Sequence, residues 1–536
     1  MKHMGKRLGT CLAAAAMLTM ALLLSGCHKD SLADKAFRFR LPADPQQLDP
    51  QVSTDRSSMT VTAALFEGLT RLDDEGRAVA AAADWTVSAD GLTYTFTLKE
   101  SKWNNGEPVT AADFVFGIRR AVQPSTRSTL AVQLYDIAGA EAVNTGQADI
   151  SALGVRAQDD RTLVITLQKP NAAFPEKVAA TPFLPCNEAF FESTGGRYGM
   201  EKDYVLCNGP FYLKRWSHGE YLVIEKQEGY HDRDSILPAA VRYVIGDTSD
   251  LITSLSEGNL DAAELPPELV DAARKEPLQL VPLQDTIRYI FLNNSEKALA
   301  QTEVRQALCG ALEWDTLRQL SAAGGLTPAE GFAAPDAVVA GGESYRTPDN
   351  IRVPATDSGA KKRLSEGLEA AGLTKMPAMA VLCADDEFSQ TVTRYILQSW
   401  QRNLSLYFTM QAVPEAELET RVRVGNYQIA LCPAQAGGLT ALEAFGEFSS
   451  GSSSNLARFS DSGFDALSAA ARIGSVTREA LDGLEQKLME LCPSIPLYFQ
   501  TRYFALPEAV SGMVIRPFGG GAFGSAVDFR AAGKPD

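Results

Sequence analysis

Few residues of this 536-residue chain have the types and spacing that catalysis requires. Beyond position 28 the chain contains two histidines, His218 and His231, and both lie in polar, turn-like stretches. Hydrolysis by a serine or cysteine nucleophile needs a histidine or an equivalent base beside it. The sequence also lacks a G-x-S-x-G elbow, a phosphate-binding loop and a C-x-x-C pair. We therefore expect a protein that is not an enzyme.

The charged and metal-binding residues exclude two further classes of function. The carboxylate pairs Asp73-Asp74 and Asp385-Asp386 lie in predicted loops, where solvation accounts for their charge. The chain has four histidines and none are spaced as a ligand pair, so we expect no metal site and no cofactor. The formal net charge is −16, whereas nucleic-acid recognition needs basic patches, so we expect no nucleic acid partner.

The first 26 residues have the pattern of a secretory signal peptide. Three basic residues precede an apolar run from Cys11 to Leu24, which is shorter than the roughly 20 residues that span a bilayer. The run ends in Leu-Ser-Gly-Cys, which looks like a lipoprotein signal. We expect cleavage before Cys27 and acylation of Cys27, which would anchor the remaining chain to a membrane through lipid.

Six cysteines follow Cys27, and export would permit disulfide bonds among them. Cys186 and Cys207 flank a glycine-rich segment, and closing this 22-residue loop would stabilise the fold by about 3 kcal/mol. We therefore predict a Cys186–Cys207 disulfide. The sequence does not pair the other four, which are Cys309, Cys383, Cys432 and Cys492.

A strand, a turn and a helix follow one another near position 100. Residues 93–98 alternate threonine with Tyr, Phe and Leu, which predicts a strand with one buried face. Asn-Asn-Gly at 104–106 favours a tight turn. Thr110 stands three residues before Asp113, a capping-box-like pair that predicts the start of a helix.

Alternating strands and helices continue along the chain and predict a wound α/β sheet with covering helices. The alternation of apolar and polar residues also predicts a first strand over 37–41 and a hairpin that ends near residue 225. In the second half, the patterns predict helices over 360–371 and 387–402 and strands over 377–383, 404–408 and 427–432.

Several phrases of the sequence resemble one known family. Lys-Trp-x-x-Gly-x-Pro-Val-Thr-Ala-x-Asp-Phe-Val runs over 102–115, and Trp85 stands five residues before an Asp-Gly pair. Leu-Asp-Pro at 48–50, Phe-Glu-Gly-Leu at 66–69 and Ile-Pro-Leu-Tyr at 495–498 follow the same order as in that family. Along essentially the whole mature length, the chain resembles the extracellular solute-binding proteins of peptide ABC importers, family 5.

The resemblance implies a fold and a division of the chain. The fold is an α/β, type II periplasmic-binding-protein-like fold, with two large lobes, a hinge and a small inserted α+β lobe. The chain would then divide into a signal peptide (1–26), a tether (27–36), lobe I (37–65, 181–285 and 505–536), the inserted lobe II (66–180) and the large lobe III (286–504).

The resemblance also implies the position of a ligand cleft. In peptide-binding members, one strand end carries Trp-Cys-Ala-Asp, and its aspartate holds the ammonium group of the ligand through a charge-assisted bond. Here Leu431 stands at the tryptophan position and Ala434 at the aspartate position, so an ammonium anchor is supplied elsewhere or is not used. The implied cleft segment is Ala430, Leu431, Cys432, Pro433, Ala434 and Gln435.

Five further residues are implied as weaker candidates for the cleft. Trp400 falls at a position where the family places a cleft tryptophan, although a core tryptophan on a helix fits equally well. Tyr498 and Gln500 lie on the late strand, and Asp55 and Arg56 lie near the first crossing between lobes.

The resemblance implies a lipid-anchored monomer on the outer face of the cytoplasmic membrane that delivers a peptide to ABC permease and ATPase subunits. A non-peptide ligand, such as a sugar, an opine-like compound or a metal chelate, is the main alternative, and the alanine at position 434 favours it. A secreted hydrolase is a second alternative, which the scarcity of histidine opposes. A surface receptor that uses the fold without transport is a third.

Overall fold

The computed structural model describes residues 36–536 except 74–76, 247–248, 324–325, 340–342, 436–439, 451, 453, 473–475, 520–524 and 534–536. The predicted signal peptide and Cys27 therefore lie outside the described residues. None of the helices in the described part has both the length and the apolar character needed to cross a membrane.

The described residues form a mixed α/β structure. The strands are β1 (Phe37–Leu41), β2 (Thr70–Leu72), β3 (Ala78–Ala80), β4 (Ala83–Val87), β5 (Thr93–Leu98), β6 (Val155–Asp159), β7 (Thr162–Thr166), β8 (Phe211–Ser217), β9 (Tyr221–Lys226), β10 (Ala240–Ile245), β11 (Ala262–Leu265), β12 (Leu278–Leu292), β13 (Thr327–Pro328), β14 (Ala380–Ala384), β15 (Thr409–Val413), β16 (Ile429–Gln435), β17 (Ser494–Pro507), β18 (Val514–Gly519) and β19 (Ser525–Asp528). The helices are α1 (Arg56–Leu65), α2 (Ala111–Val122), α3 (Ala140–Asn144), α4 (Phe174–Lys177), α5 (Glu188–Ser193), α6 (Leu251–Ser256), α7 (Val270–Ala273), α8 (Thr302–Gly310), α9 (Trp314–Ala323), α10 (Ala360–Ala370), α11 (Glu387–Leu404), α12 (Glu415–Val424), α13 (Ala441–Gly446), α14 (Ser462–Ala471) and α15 (Arg478–Leu491).

One large sheet runs through the molecule in the order β15-β14-β16-β12-β17-β11-β1-β10-β9-β8. Its centre consists of the two longest strands, β12 and β17, which pair antiparallel. Their pairing is interrupted between Leu283 and Thr286, and this irregularity divides the sheet into two halves. We call the part built on the half with β1, β8–β11 the first lobe, and the part built on β14–β16 the second lobe.

Among the described residues, only β12 and β17 belong to both halves of the sheet, and we call them the hinge strands. On one side of the interruption, Tyr503–Ala505 of β17 pairs with β11. On the other side, residues 286–292 of β12 pair with β16. Two strands that cross between lobes are the arrangement in which small backbone changes can rotate one lobe against the other.

The hydrophobic cores follow the two halves. One core joins the first lobe to the four-stranded sheet β4-β5-β7-β6, and Phe96 and Phe114 lie at its centre. The second lobe has two cores, one on each face of its half of the sheet. The residue boundaries of the three predicted lobes stay a prediction.

The strand, turn and helix near position 100 are confirmed. Residues 93–98 form β5, and its Tyr, Phe and Leu side chains are buried. Gly106 has φ +93°, as the tight turn requires. Thr110 caps α2, because its backbone N–H donates to Asp113 Oδ2 at 2.8 Å and its side chain accepts from the backbone of Asp113.

One strand of the second lobe lies elsewhere than the sequence pattern predicts. The strand predicted over 404–408 begins at Thr409, because α11 continues to Leu404. Leu404 packs in a core as part of the last helical turn. Ser405 then takes a left-handed conformation with φ 57° and ends the helix.

The predicted Cys186–Cys207 disulfide is wrong, since both residues are free, buried thiols. The Cys186 Sγ lies 3.4 Å from Nη1 of Arg120, whereas the backbone N–H of Cys207 donates to the Asn104 side chain at 2.8 Å. Burial raises the pKa of each thiol to about 12. The loop between them is held by backbone hydrogen bonds instead, such as that from Leu48 to the Gly199 carbonyl at 2.7 Å.

Candidate functional site

A cavity of about 310 Å³ lies between the two lobes, where the hinge strands cross. This volume is at the lower end of the range of small-molecule sites. Residues of both lobes line the cavity, and most of their side chains are polar or charged. The interruption of the strand pairing lies beside it, and such irregularities redirect side chains at functional sites.

The charged residues of the first-lobe wall of this cavity are Arg56, Glu264 and Arg502. Arg56 Nη1 lies 2.7 and 2.9 Å from the two carboxylate oxygens of Glu264, and Arg502 Nη1 lies 2.8 Å from Oε1. Three elements supply these residues, because Arg56 begins α1, Glu264 lies in β11 and Arg502 lies in β17. Glu264 therefore accepts from two guanidinium groups, and this wall is already a closed ionic network.

The charged residues of the second-lobe wall are Arg288, Glu415 and Glu419. Arg288 Nη2 donates to Glu415 Oε1 at 2.8 Å, and the Arg288 side chain is only 12% exposed. Its Nη1 is buried and has no hydrogen-bond partner among the described residues. Arg288 is thus a charged donor at the cavity that the surrounding chain satisfies only in part.

Glu419 lies one helical turn after Glu415 on α12 and also lines the cavity. Loss of hydration raises the pKa of the Glu419 carboxyl, and the nearby negative charge of Glu415 raises it further. The positive charges of Arg423 and Arg288 act in the opposite direction. Within the described part of the chain, the Glu419 carboxylate has no hydrogen bond or ion pair.

Three of the residues predicted for the cleft line this cavity: Arg56, Pro433 and Gln500. Pro433 lies directly opposite Arg288 in the pairing of β16 with β12. Asp55 lies next to Arg56, but its carboxylate caps α1 by accepting from the Ser58 backbone N–H at 2.9 Å. Its role in the structure is therefore to begin the helix that presents Arg56.

The other predicted cleft residues lie in the cores or against them. Trp400 is fully buried, and its indole N–H donates to the Leu308 carbonyl at 2.8 Å, so the reading of Trp400 as a cleft residue is corrected. Ala430, Leu431 and Cys432 are buried because successive residues of β16 point into the two cores on opposite faces of the sheet. Ala434 packs against one of these cores, Tyr498 is buried in the other, and the side chain of Gln435 lies outside the described residues.

Sequence reasoning missed Arg288, Glu264, Glu415 and Glu419. Arg288 carried a usable signal, because it is the one charged residue in the apolar stretch Ile-Arg-Tyr-Ile-Phe-Leu, and buried arginines need a partner or a function. Glu415 and Glu419 carried a weaker signal, a pair of acids spaced four residues apart on one helix. Only the tertiary structure brings these residues to one cavity.

Both histidines in the described part of the chain have carboxylate partners. His231 Nε2 lies 2.7 Å from Glu67 Oε2, and Tyr230 donates to the other oxygen of Glu67 at 2.6 Å. His218 Nδ1 lies 2.9 Å from Asp44 Oδ2. The hydrogen bond to Glu67 raises the pKa of His231. These groups hold first-lobe loops together and lie apart from the residues that line the large cavity.

The fold and the cavity define a class of protein in which two lobes, joined by hinge strands, enclose a ligand. Residues 78–455 match the model of the bacterial extracellular solute-binding proteins, family 5, in its middle region. The chain belongs to this family, and the predicted fold class is confirmed.

Individual relatives agree with this assignment. The dipeptide-binding protein DppE of Bacillus subtilis is 28% identical over 89% of this chain and 89% of its own. The probable deoxycholate-binding periplasmic protein YgiS of Escherichia coli is also 28% identical, over 89% of this chain and 90% of its own. The solved substrate-binding domain of an oligopeptide ABC transporter from Bacillus anthracis superposes with a TM-score of 0.71 and 25% identity, over 94% of this chain and 99% of that chain.

Proposed function

We propose that this chain captures short peptides in the cavity between its lobes and delivers them to the membrane permease of an ABC importer. The observation that carries the proposal is the family membership together with a polar cavity at the crossing of two hinge strands. Relatives with named ligands include a dipeptide-binding protein and the binding domain of an oligopeptide transporter. The protein binds and releases its ligand without changing it covalently.

The hinge explains how capture can be coupled to delivery. Because only two strands of the described chain cross between the lobes, opening requires changes at a few backbone positions near residues 283–286 and 500–502. A bound peptide contacts both walls and stabilises the closed arrangement, since a ligand shifts a conformational equilibrium toward the state it binds more tightly. The permease then recognises the closed state.

Native mass spectrometry of the full chain, purified in mild detergent, tests this function. We expect the folded protein to carry extra mass that is released on denaturation and sequenced as one or more short peptides. Titration of the emptied protein with trialanine and tetraalanine then gives the affinity by calorimetry. A chain that holds no peptide and binds none from a mixed peptide pool contradicts the proposal.

A non-peptide ligand is the second candidate function. The observation that favours it is the similarity to the probable deoxycholate-binding protein, which extends over nearly the same share of the chain as the similarity to the dipeptide-binding protein. The charges of the cavity do not oppose it, because the lining has three arginines (Arg56, Arg288 and Arg502) as well as three glutamates (Glu264, Glu415 and Glu419). A rise in melting temperature with deoxycholate, and none with peptides, would establish this alternative.

We further propose that the mature chain is held on the outer face of the cytoplasmic membrane by lipid on Cys27 and works as a monomer beside permease and ATPase subunits. More than one acyl chain is needed for stable anchorage. Replacement of the only anchoring thiol, Cys27→Ser, should therefore release the protein from the membrane fraction. Unchanged membrane association of this variant contradicts lipid anchoring.

A further inference from the structure

Two of the free thiols in the second lobe contact each other. Cys309 and Cys492 pack in the same hydrophobic core, and a hydrogen bond joins their thiol groups. Cys492 is only 5% exposed, and Cys309 is half-buried. The segment that runs from one cysteine to the other has 184 residues. The tertiary fold therefore creates this contact, and closeness along the chain does not.

Arg305 holds the backbones around the two cysteines together. It lies one helical turn before Cys309 on α8, so the two side chains share a face of the helix. Its Nε donates to the Cys492 carbonyl at 3.1 Å, and its Nη2 donates to the Leu491 carbonyl at 2.7 Å. The carbonyl oxygen of Arg305 lies 3.8 Å from the Cys492 Sγ. These bonds fix the end of α15 against the face of α8 that carries Cys309.

The other four thiols after Cys27 have partners of other kinds. These partners are Arg120 for Cys186, the backbone of Leu213 for Cys207, Thr393 for Cys383 and the Pro433 carbonyl for Cys432. A disulfide forms only where two sulfurs can approach to about 2 Å. Cys309 and Cys492 differ from the other four in that each already has a thiol as its partner.

We propose that Cys309 and Cys492 are oxidised to a disulfide outside the cytoplasm and that this bond holds the second lobe together. The family is extracellular, and disulfides persist in oxidising surroundings. α8 is the first helix after the hinge strand β12, and α15 is the last helix before the hinge strand β17. The bond therefore joins the two ends of the segment that builds the second lobe. A long closed loop gains most from a cross-link, because the unfolded chain loses most freedom.

The reaction requires an oxidant, which is a small-molecule or protein disulfide. The thiolate of one cysteine attacks this disulfide, forms a mixed disulfide and releases one thiolate of the oxidant. The thiolate of the second cysteine then attacks the sulfur of the first and releases the other thiolate of the oxidant. The two cysteines lose two electrons and two protons in total, and the oxidant gains both as two thiols.

The surroundings of the pair indicate when the bond forms. The hydrogen bond with Cys492 and loss of hydration hold the pKa of Cys309 well above its usual range. Because the thiolate is the reacting form, oxidation of the folded protein is slow. We therefore expect the bond to form while the exported chain folds, when both thiols are still in contact with water.

The pair lies far from the large cavity. Ser494, two residues after Cys492, pairs with Phe291, whereas Gln500 pairs with Thr286 beside the cavity. Six residues of a strand span about 20 Å. Oxidation should therefore leave ligand affinity unchanged, and the inference does not depend on which ligand the cavity binds.

The experiment maps the thiols of the full chain after refolding. The reduced, unfolded protein is refolded in a mixture of oxidised and reduced glutathione, and free thiols are then blocked with N-ethylmaleimide in denaturant. Trypsin releases Cys309 in the peptide 306–318 and Cys492 in the peptide 488–502. We expect mass spectrometry to find these two peptides joined, and the peptides that contain Cys383 and Cys432 to carry N-ethylmaleimide.

The melting temperature measures what the bond does. The refolded wild type should melt about 5–10 °C higher before reduction than after it, since the bond restricts the unfolded chain. In Cys309→Ser, reduction should leave the melting temperature unchanged. The matched control is Cys383→Ala, which removes a thiol from the same core and should keep the full difference between the oxidised and reduced forms.

Three results would contradict the proposal. If both peptides carry N-ethylmaleimide after refolding in glutathione, the disulfide is wrong. Linkage of Cys309 or Cys492 to a different cysteine also rules out this pair. If the bond forms but reduction does not lower the melting temperature of the wild type, the bond does not hold the second lobe together.

Discussion

Two arginine–glutamate pairs of the second lobe have the same contact distance and opposite surroundings. Arg346 and Glu485 meet at 2.8 Å with 7% and 0% of their side chains exposed, and Glu485 also accepts from two backbone N–H groups and Tyr345. Arg288 and Glu415 also meet at 2.8 Å, but Glu415 is 51% exposed and one Arg288 nitrogen has no partner in the described chain.

The difference separates an ion pair whose hydrogen bonds are complete from one whose hydrogen bonds are incomplete. Glu485 uses its two oxygens for Arg346, Tyr345 and the backbone of residues 332–333, so nothing is left for another molecule. Arg288 lies at a cavity, and its Nη1 has no hydrogen-bond partner in the described chain. Buried networks that are fully satisfied rigidify a structure, whereas an unsatisfied donor is completed by water, an ion or another molecule.

The largest expected effect on stability comes from breaking the ion pair between Arg346 and Glu485. Glu485→Gln leaves Arg346 buried without its counter-charge, and we expect the free energy of unfolding to fall by about 3–5 kcal/mol. Chemical denaturation measures it. The control is Glu343→Gln, which breaks the exposed pair between Glu343 and Arg478 and should change stability by less than about 1 kcal/mol. Equal losses in the two variants would contradict a structural role for Glu485.

A third carboxylate of the same lobe, that of Glu447, makes the stability of the protein depend on pH. The Glu447 carboxylate has no hydrogen bond or ion pair among the described residues, and loss of hydration, with the charge of Glu443 nearby, raises its pKa to about 8. A carboxyl whose folded pKa is raised favours the folded state below its unfolded pKa and loses that contribution as pH rises through its folded pKa. We therefore expect stability to fall between about pH 4.5 and pH 8, the two values that bound the window.

The measurement is the free energy of unfolding of the wild type and of Glu447→Gln at several pH values. From about pH 6 to about pH 9, the wild type should lose on the order of 2 kcal/mol more than the variant, since one pKa unit corresponds to about 1.4 kcal/mol. Parallel pH profiles of the two proteins would show that Glu447 ionises freely in the folded state.

The smallest expected effect on stability comes from breaking the ion pair between Arg288 and Glu415. Glu415 is about half exposed, so Glu415→Gln should change the free energy of unfolding by less than about 1 kcal/mol. The same denaturation experiment checks this. A loss as large as that of Glu485→Gln would mean that the pair at the cavity is structural, and the distinction between the two pairs would fail.

Several local elements of this protein can be predicted from its sequence. The alternation of β5, the turn at Gly106 and the capping residues of α2 each follow from short-range rules, and all three are present in the structure. The strand predicted at 404–408 is an instructive failure, because Leu404 completes the buried face of α11 and tertiary packing outweighs the strand-like local pattern.

The residues of the candidate site could be predicted from the sequence only in part. Arg56, Pro433 and Gln500 could be named from the sequence, because the family resemblance implies a cleft at the segment with Pro433, the late strand with Gln500 and the first crossing between lobes with Arg56. Trp400 could not be assigned, since a tryptophan on a helix face reads the same whether it faces a cavity or a core. The cysteines at 186 and 207 also read as a bonded pair, although the structure gives each its own buried surroundings.

By itself, the sequence determined the family, the order of strands and helices and the absence of catalytic motifs, because these depend on local spacing and on phrases of a few residues. Only the tertiary structure decided which charges meet. Residues 56, 264, 288, 415, 419 and 502 come from five elements that are far apart along the chain, and the tertiary fold brings them to one cavity. Hydrogen bonding and burial at a site depend on distances in space, and no spacing along the chain encodes them.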